Sequence, residues 1–266
     1  MESLGIIAGN GAYPFELAQR ARAAGVRRIV VAAFENETRP ELASQVDEIT
    51  WIRVGQLGKM IGIFEKSGVQ DVIMAGQIAP KNLFDLRPDF KALLLLGRLK
   101  ERNAESLFGG IADELAKSGV TLLSATTFLE DSLAPEGHIA GPKLKKRTID
   151  DLEYGFRIAK EVSRLDIGQT VVVRNGTVLA VEAFEGTNDA IQRGGKMGNG
   201  SAVMVKVSKP DQDFRFDVPV IGLQTLETAQ AAGVIAIGVE SGKTLLLERA
   251  QLLADAAARK ITLFGL

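Results

Sequence analysis

The sequence predicts an α/β protein: a Rossmann-like N-terminal domain on a parallel sheet, followed by a second α/β domain with a mixed sheet. Three observations carry this. Short apolar runs alternate with helix-length amphipathic segments from Leu4 to Ala125, the pattern of a doubly wound sheet. Farther on, Asn175-Gly176 separates two β-rich runs and marks an antiparallel hairpin. Between these regions lies 134–147 (APEGHIAGPKLKKR), with Pro135, Gly137, Gly141 and Pro142 and then Lys143, Lys145, Lys146 and Arg147. Such segments separate domains. The expected division is therefore 1–133, a linker at 134–147, and a C-terminal domain at 148–266.

In chain order, Leu4–Ala8 is a buried-strand run that turns through Gly9-Asn10-Gly11 into a helix at Phe15–Ala24, with Pro14 at its start and Gly25 at its stop. Strands follow at Arg27–Phe34, Asp47–Val54 and Val69–Ala75, with a helix over Gly55–Ser67. The run Asn82–Arg102 places four leucines, Leu93–Leu96, among Arg87, Lys91, Arg98, Lys100 and Arg102. Core packing is the commoner use of such a helix; the sharper one is an anionic membrane surface or a lipid chain along Phe90–Leu99. Leu107–Ser118 reads as a helix and Val120–Ala125 as a strand trailing into Thr126. After the linker, Thr148 followed by Asp151 suggests a capping box for a helix reaching about Ser163. The hairpin strands are Thr170–Val173 and Val178–Phe184. A helix can begin at Ala190–Arg193, and Gly194, Gly195, Gly198 and Gly200 read as a glycine-rich loop. Ala202–Val207 is a strand, Thr225–Ala232 a helix, Val234–Val239 a strand, Leu245–Ala258 a helix and Ile261–Phe264 a last strand.

Composition narrows the chemistry. The chain has 266 residues, no cysteine, one histidine and a net charge of -1. Thiol nucleophiles, thiolate zinc sites and His-rich metal centres are excluded, and a metal would need oxygen ligands, which favours a hard cation such as magnesium. Near-neutral charge gives no case for nucleic acid. The first residues lack a basic region and a long apolar segment, and no run reaches the roughly 18 to 20 apolar residues that span a bilayer. A cytoplasmic protein, with or without contact to a membrane surface, is expected.

Two acidic features stand out. Glu185-Gly186-Thr187-Asn188-Asp189 follows a strand where a helix could begin, and Asp217 lies between apolar neighbours just before Val218-Pro219. A solvated turn is the ordinary reading of any one of these carboxylates, but such clusters are also where sites form. Two nucleotide motifs are weak. Gly9 and Gly11 begin a dinucleotide fingerprint that Pro14 interrupts, although Glu35 stands near the ribose-binding position. Gly238 to Thr244 resembles a phosphate loop one residue short, and Gly242-Lys243-Thr244 reads as a strand-to-helix turn. By the switch-point rule, a ligand belongs near Gly9–Gly11 and Gly76-Gln77.

The stretches Ile6–Pro14 (IIAGNGAYP), Ala75–Ile78 (AGQI), Asp166–Val173 (DIGQTVVV), Val181–Asp189 (VEAFEGTND) and Phe216–Gly222 (FDVPVIG) together resemble a known family. It is the UDP-2,3-diacylglucosamine pyrophosphatases of the LpxI type, from bacterial lipid A biosynthesis, and the resemblance runs nearly the full length. It implies magnesium-dependent hydrolysis of UDP-2,3-diacylglucosamine to UMP and 2,3-diacylglucosamine 1-phosphate (lipid X), two domains with the ligand between them, and an essential aspartate placed at Asp217. On that basis the catalytic set is Asp217, Asp189 and Glu185, with Asp217 and Asp189 as metal ligands. Gly11, Gly76, Gln77, Thr126, Thr170, Thr187 and Asn188 are substrate-binding candidates. Either Asn188 or Asp189 takes the family's loop position. The inner-membrane surface and a second copy of the chain are candidate partners. The rival readings are a non-catalytic nucleotide or lipid-precursor binding protein and a nicotinamide oxidoreductase.

Overall fold

The computed structural model describes residues 1–78, 88–99 and 104–266, without the side chains of residues 104 and 105. Of the apolar, basic segment, residues 82–87 with Arg87 and the end with Lys100 and Arg102 lie outside the described residues. The chain forms two compact units: 1–129 with 213–217, and 130–212 with 218–266.

The first unit is a five-stranded parallel sheet in the order β3-β2-β1-β4-β5, with β1 Ser3–Ala8, β2 Arg28–Phe34, β3 Glu48–Ile52, β4 Asp71–Ala75 and β5 Thr121–Leu122. The strand order reverses between β1 and β4, so their carboxyl ends flank the switch point. Helices α1 (Tyr13–Ala23), α2 (Leu57–Ser67), α3 (Phe90–Arg98) and α4 (Ala104–Lys117) surround the sheet. Alternating side chains explain the layering. Ile7, Val30, Ala32 and Ile52 meet Met60, Ile61 and Phe64 of α2, Ala92 and Leu95 of α3, and Leu115 of α4 in one core cluster, while α1 packs against β1 and β4. On α3, Asp89 caps the first turn by accepting the Ala92 N–H at 2.9 Å. Ala92 and Leu95 are buried, whereas Phe90, Leu93 and Leu94 are 76%, 54% and 44% exposed.

The second unit is built on a six-stranded mixed sheet, β6-β13-β11-β9-β7-β8, with β6 Gly137–Ala140, β7 Thr170–Arg174, β8 Thr177–Val181, β9 Ala202–Lys206, β11 Val234–Val239 and β13 Thr262–Gly265. A two-stranded piece pairs β10 (Val220–Ile221) with β12 (Leu245–Leu246). Val171, Val173, Val203 and Val205 face α5 (Lys146–Arg164) through Leu152 and Ala159. Val172, Ala202 and Met204 face the other way, toward α6 (Thr187–Gly198), α7 (Leu223–Ala231) and α8 (Arg249–Ala258).

Several expectations change. The segment 134–147 belongs to the second unit and carries β6, which pairs antiparallel with β13. Gly194, Gly195 and Gly198 form no loop: they lie in α6, where a Cβ would come within 2.5 Å of Val172, 2.4 Å of Ala232 and 2.4 Å of Ala202. Glycine there permits close packing of α6 on β7, on β9 and on the end of α7. Asp151 does not cap α5, whose N-cap is Lys145 without a side-chain bond. It accepts the Asn175 and Gly176 N–H groups at 2.8 and 2.7 Å instead, fastening the hairpin turn to the helix. The turn itself is as expected, with φ of 50° and 71° at those two residues. Leu245 and Leu246 form a strand rather than a first helical turn, so Gly242-Lys243-Thr244 joins strand to strand and lacks the helix a phosphate loop needs.

Candidate functional site

In the first unit, the loops after β1 and β4 are joined. Asn10 N–H donates to the Gln77 carbonyl at 2.7 Å and Gln77 N–H returns to the Asn10 carbonyl at 3.2 Å. Gly76 has φ of 93°, and a Cβ would lie 2.5 Å from the Asn10 oxygen. Both the left-handed backbone and the close approach require glycine. Gly11, beside Asn10, opens into the first turn of α1, where backbone N–H groups have no intrahelical acceptor. The Tyr13 hydroxyl in that turn donates to the Ala125 carbonyl, after β5. Burial pushes this phenol well above its ordinary range, with the Glu16 charge adding, so Tyr13 remains a donor. Thr126 follows, its hydroxyl 2.8 Å from that of Ser124.

Residues 213–217 complete this edge. Ala125 N–H donates to the Phe214 carbonyl at 2.7 Å. Phe216 stacks on Phe108 of α4 with ring centroids 5.5 Å apart and packs on the apolar core of the first unit. The turn closes by Asp217 N–H donating to the Asp213 carbonyl at 3.1 Å. Arg215 grips both Asp213 oxygens, at 3.0 and 3.1 Å through Nε and 2.6 Å through Nη2. That hydrogen bond holds the Asp213 carboxyl below its ordinary range, burial opposing. Asp213 thus anchors the turn that presents Asp217. Gly11, Gly76, Gln77, Thr126 and the Asp217 segment share the carboxyl-end edge of one parallel sheet, although Asp217 comes from the C-terminal half of the sequence.

The remaining predicted residues gather in the second unit, where β8 enters α6. Thr170, fully buried at the start of β7, lies 3.4 Å from Thr187, hydroxyl to hydroxyl. Thr187 donates to Glu182 Oε1 at 2.8 Å, and Lys206 Nζ donates to Thr187 Oγ1 at 3.2 Å. Glu182 and Lys206, 8% and 6% exposed, escape a sequence reading. The one signal for Lys206 is a charge ending the otherwise apolar run AVMVK. Glu185 is exposed and paired with Arg193, whose hydrogen bond holds its carboxyl below the ordinary range. Asn188 and Asp189 lie in the first turn of α6, with Asp189 exposed.

Among the described residues, no three His, Asp or Glu side chains converge as a preassembled metal cluster. A magnesium ion carried on a diphosphate needs only one or two protein carboxylates beside phosphate oxygens and water. The carboxylate oxygens of Asp217 in the first unit and of Asp189 in the second are each of the hard donor type that magnesium takes, and Glu185 is paired with Arg193.

Comparison with known proteins gives consistent results. Residues 3–132 match the family model described as LpxI N-terminal domain, and residues 135–264 match LpxI C-terminal domain. A relative from Caulobacter vibrioides, named UDP-2,3-diacylglucosamine pyrophosphatase LpxI, is 32% identical over 267 residues, covering 96% of this chain and 94% of its own. Among solved structures, the biotin carboxylase domain of the Hydrogenobacter thermophilus 2-oxoglutarate carboxylase is 13% identical over 66% of this chain, with a TM-score of 0.30. This chain spans 35% of that one, and a likeness so slight says nothing of function.

Proposed function

The chain belongs to the LpxI family, whose two domain models span nearly its whole length, and from that membership we propose that it hydrolyses the diphosphate bond of UDP-2,3-diacylglucosamine in lipid A biosynthesis. Water attacks one phosphorus, the P–O–P bond breaks, and UMP and 2,3-diacylglucosamine 1-phosphate leave with release of one proton. The observation that most supports this reading is the excursion of residues 213–217 onto the loop after β5. A short segment crosses out of its own half of the sequence and carries one aspartate to the edge bearing Gly11, Gly76, Gln77 and Thr126.

Asp217 is the carboxylate assigned to the chemistry, accepting the proton of the attacking water as it adds to phosphorus. The N–H groups of the first turn of α1 and the glycine turns at Gly11 and Gly76 let backbone approach an anionic or sugar group closely. Magnesium bound with the diphosphate would neutralise its charge, and the carboxylates of Asp217 in the first unit and of Asp189 in the second each offer the oxygen donors it takes. Thr170, Thr187 and Asn188 are read as substrate contacts of the second unit, and Glu185 with Arg193 as the pair that fastens the entry to α6.

The exposed apolar face of α3, Phe90 with Leu93 and Leu94, is assigned to the acyl chains or to the membrane surface that supplies them. Its charges are largely engaged within the unit, Lys91 and Arg98 each lying 3.7 Å from Glu114. No helix of the described residues is long and apolar enough to cross a membrane. The test is direct: UMP and the sugar 1-phosphate must appear together when the protein is incubated with UDP-2,3-diacylglucosamine and magnesium.

A further inference from the structure

Asp217 ends the segment 213–217 in the first unit, so whatever fixes that segment also places the carboxylate. The start of the segment is tied through its backbone: the Phe214 carbonyl accepts from the Ala125 N–H at 2.7 Å and from the Ser124 hydroxyl at 3.4 Å. Its middle is shaped from within by Arg215 holding both oxygens of Asp213, and the charge of Asp113 on α4 adds to that of Asp213 in favouring the Arg215 cation. Next to Asp217 the tie is apolar. The Phe216 ring stacks on Phe108 of α4 with centroids 5.5 Å apart and an interplanar angle of 27°. Aromatic pairs prefer particular separations and tilts, so this contact constrains direction as well as burial.

Phe108 stands on a braced helix. Gly110 and Glu114, four residues apart and so on one face of α4, both meet α3. A Cβ on Gly110 would lie 2.5 Å from Leu95 Cδ1, so glycine lets the two helices approach closely there. Glu114 lies 3.7 Å from both Lys91 and Arg98 of α3. Ala112 and Leu115 of α4 are buried in the core of the unit together with Leu95. Held by α3 and by the core, α4 sets the position of the Phe108 ring, and Phe216 follows it. Consecutive Cα atoms are about 3.8 Å apart, and Asp217 is the next residue, its N–H closing the turn on the Asp213 carbonyl at 3.1 Å. A shift of the Phe216 ring therefore reaches Asp217 directly.

We infer that Phe108 is a positioning residue for Asp217, its ring fixing through Phe216 the turn that presents the carboxylate, an assignment that rests on the hydrolase reading for the reaction it serves. Phe108→Ala should lower kcat for UMP release by about tenfold or more and leave KM within about threefold, since a small displacement of a reacting group is costly. Phe108→Tyr keeps the ring and should stay within about threefold of the parent in kcat. In an Asp217→Asn background Phe108→Ala should change kcat by less than about twofold, because its effect runs through the carboxylate already removed. Circular dichroism and thermal melting establish that each variant is folded, and Phe108→Leu, apolar but without a ring, replaces Phe108→Ala should that variant not fold. A readout free of catalysis accompanies the kinetics. The carbon-13 resonance of the Asp217 carboxyl, identified by its loss in Asp217→Asn, should move in Phe108→Ala and stay in place in Phe108→Tyr. Parental kcat in a folded variant lacking the ring, a fall of equal size in the Asp217→Asn background, or an unmoved resonance would overturn the assignment. A resonance that moves as expected in a protein that releases no UMP would sink the hydrolase reading alone. UMP release by the parent, with kcat and resonance both unchanged in folded Phe108→Ala, would sink this one alone.

Discussion

Asn10 and Gln77 exchange backbone hydrogen bonds at 2.7 and 3.2 Å, although 66 residues of chain separate them. This two-way bond joins the loops on either side of the switch point, and Gly76 makes it geometrically possible. Gly76→Ala puts a methyl 2.5 Å from the Asn10 oxygen at a φ of 93°. It should cost about 1–3 kcal/mol and lower kcat/KM, read by urea denaturation and UMP release. A variant with parental stability and activity would show that the two loops need not be joined.

Glu240 should be the larger single contributor to stability. It is 7% exposed and is reached by Lys160 at 3.0 Å, Lys243 at 2.8 Å and both the N–H and hydroxyl of Ser208, at 2.9 and 2.8 Å. Burial raises its pKa, but the bonds from Lys243, Ser208 and Lys160 outweigh burial and leave it below the ordinary value of 4.5. A depressed carboxyl stabilises the fold fully above its unfolded pKa and loses that contribution as pH falls through the folded one. Glu240→Gln should therefore cost on the order of 3 kcal/mol at pH 7. The difference between parent and variant should shrink as the pH drops below 4.5. Urea melts at pH 7, 5, 4 and 3 measure it.

The two glutamates beside α6 should behave differently. Glu182 is buried and takes the Thr187 hydroxyl proton, whereas Glu185 is exposed on Arg193. Glu182→Ala, which removes a charge-assisted bond, should lower kcat/KM by about tenfold or more, and Glu185→Ala by less than that. Steady-state UMP release compares them, with melting curves to separate folding from chemistry. A larger loss in Glu185→Ala would return the assignment to the exposed residue.

Leu94 on α3 is 44% exposed, so Leu94→Glu should leave stability within about 0.5 kcal/mol. Loss of a leucine-sized apolar contact of about 1.5 kcal/mol should raise KM roughly tenfold, and cosedimentation with anionic liposomes should fall. Unchanged KM and unchanged liposome binding would remove α3 from the lipid-facing surface.

What the sequence disclosed was mostly local. The Asn175-Gly176 turn is legible because positive φ at adjacent residues is written into their chemistry, and the parallel sheet because its strands are continuous apolar runs. Gly194, Gly195 and Gly198 misled because a glycine chosen for contact with Val172, Ala232 and Ala202 looks, in one dimension, like a glycine chosen for a turn. Asp151 misled likewise: its spacing from Thr148 fits a cap, but its partners lie on a hairpin 24 residues away. The departure of 213–217 from its own half depends on Phe216 meeting Phe108, a long-range packing event without a local signature. Of the site, the turns and acidic clusters were visible as motifs. Glu182 and Lys206 were not, since each reads as the polar end of an apolar strand.

The central claim is tested most directly by incubating the folded protein and its Asp217→Asn variant with UDP-2,3-diacylglucosamine and magnesium and resolving UMP by chromatography. The parent should release UMP and 2,3-diacylglucosamine 1-phosphate in equal amounts, and the variant, with an unchanged melting curve, should lose about a hundredfold or more of kcat. Parental turnover by the folded variant would contradict the assignment of Asp217, and no UMP from the parent would contradict the activity itself.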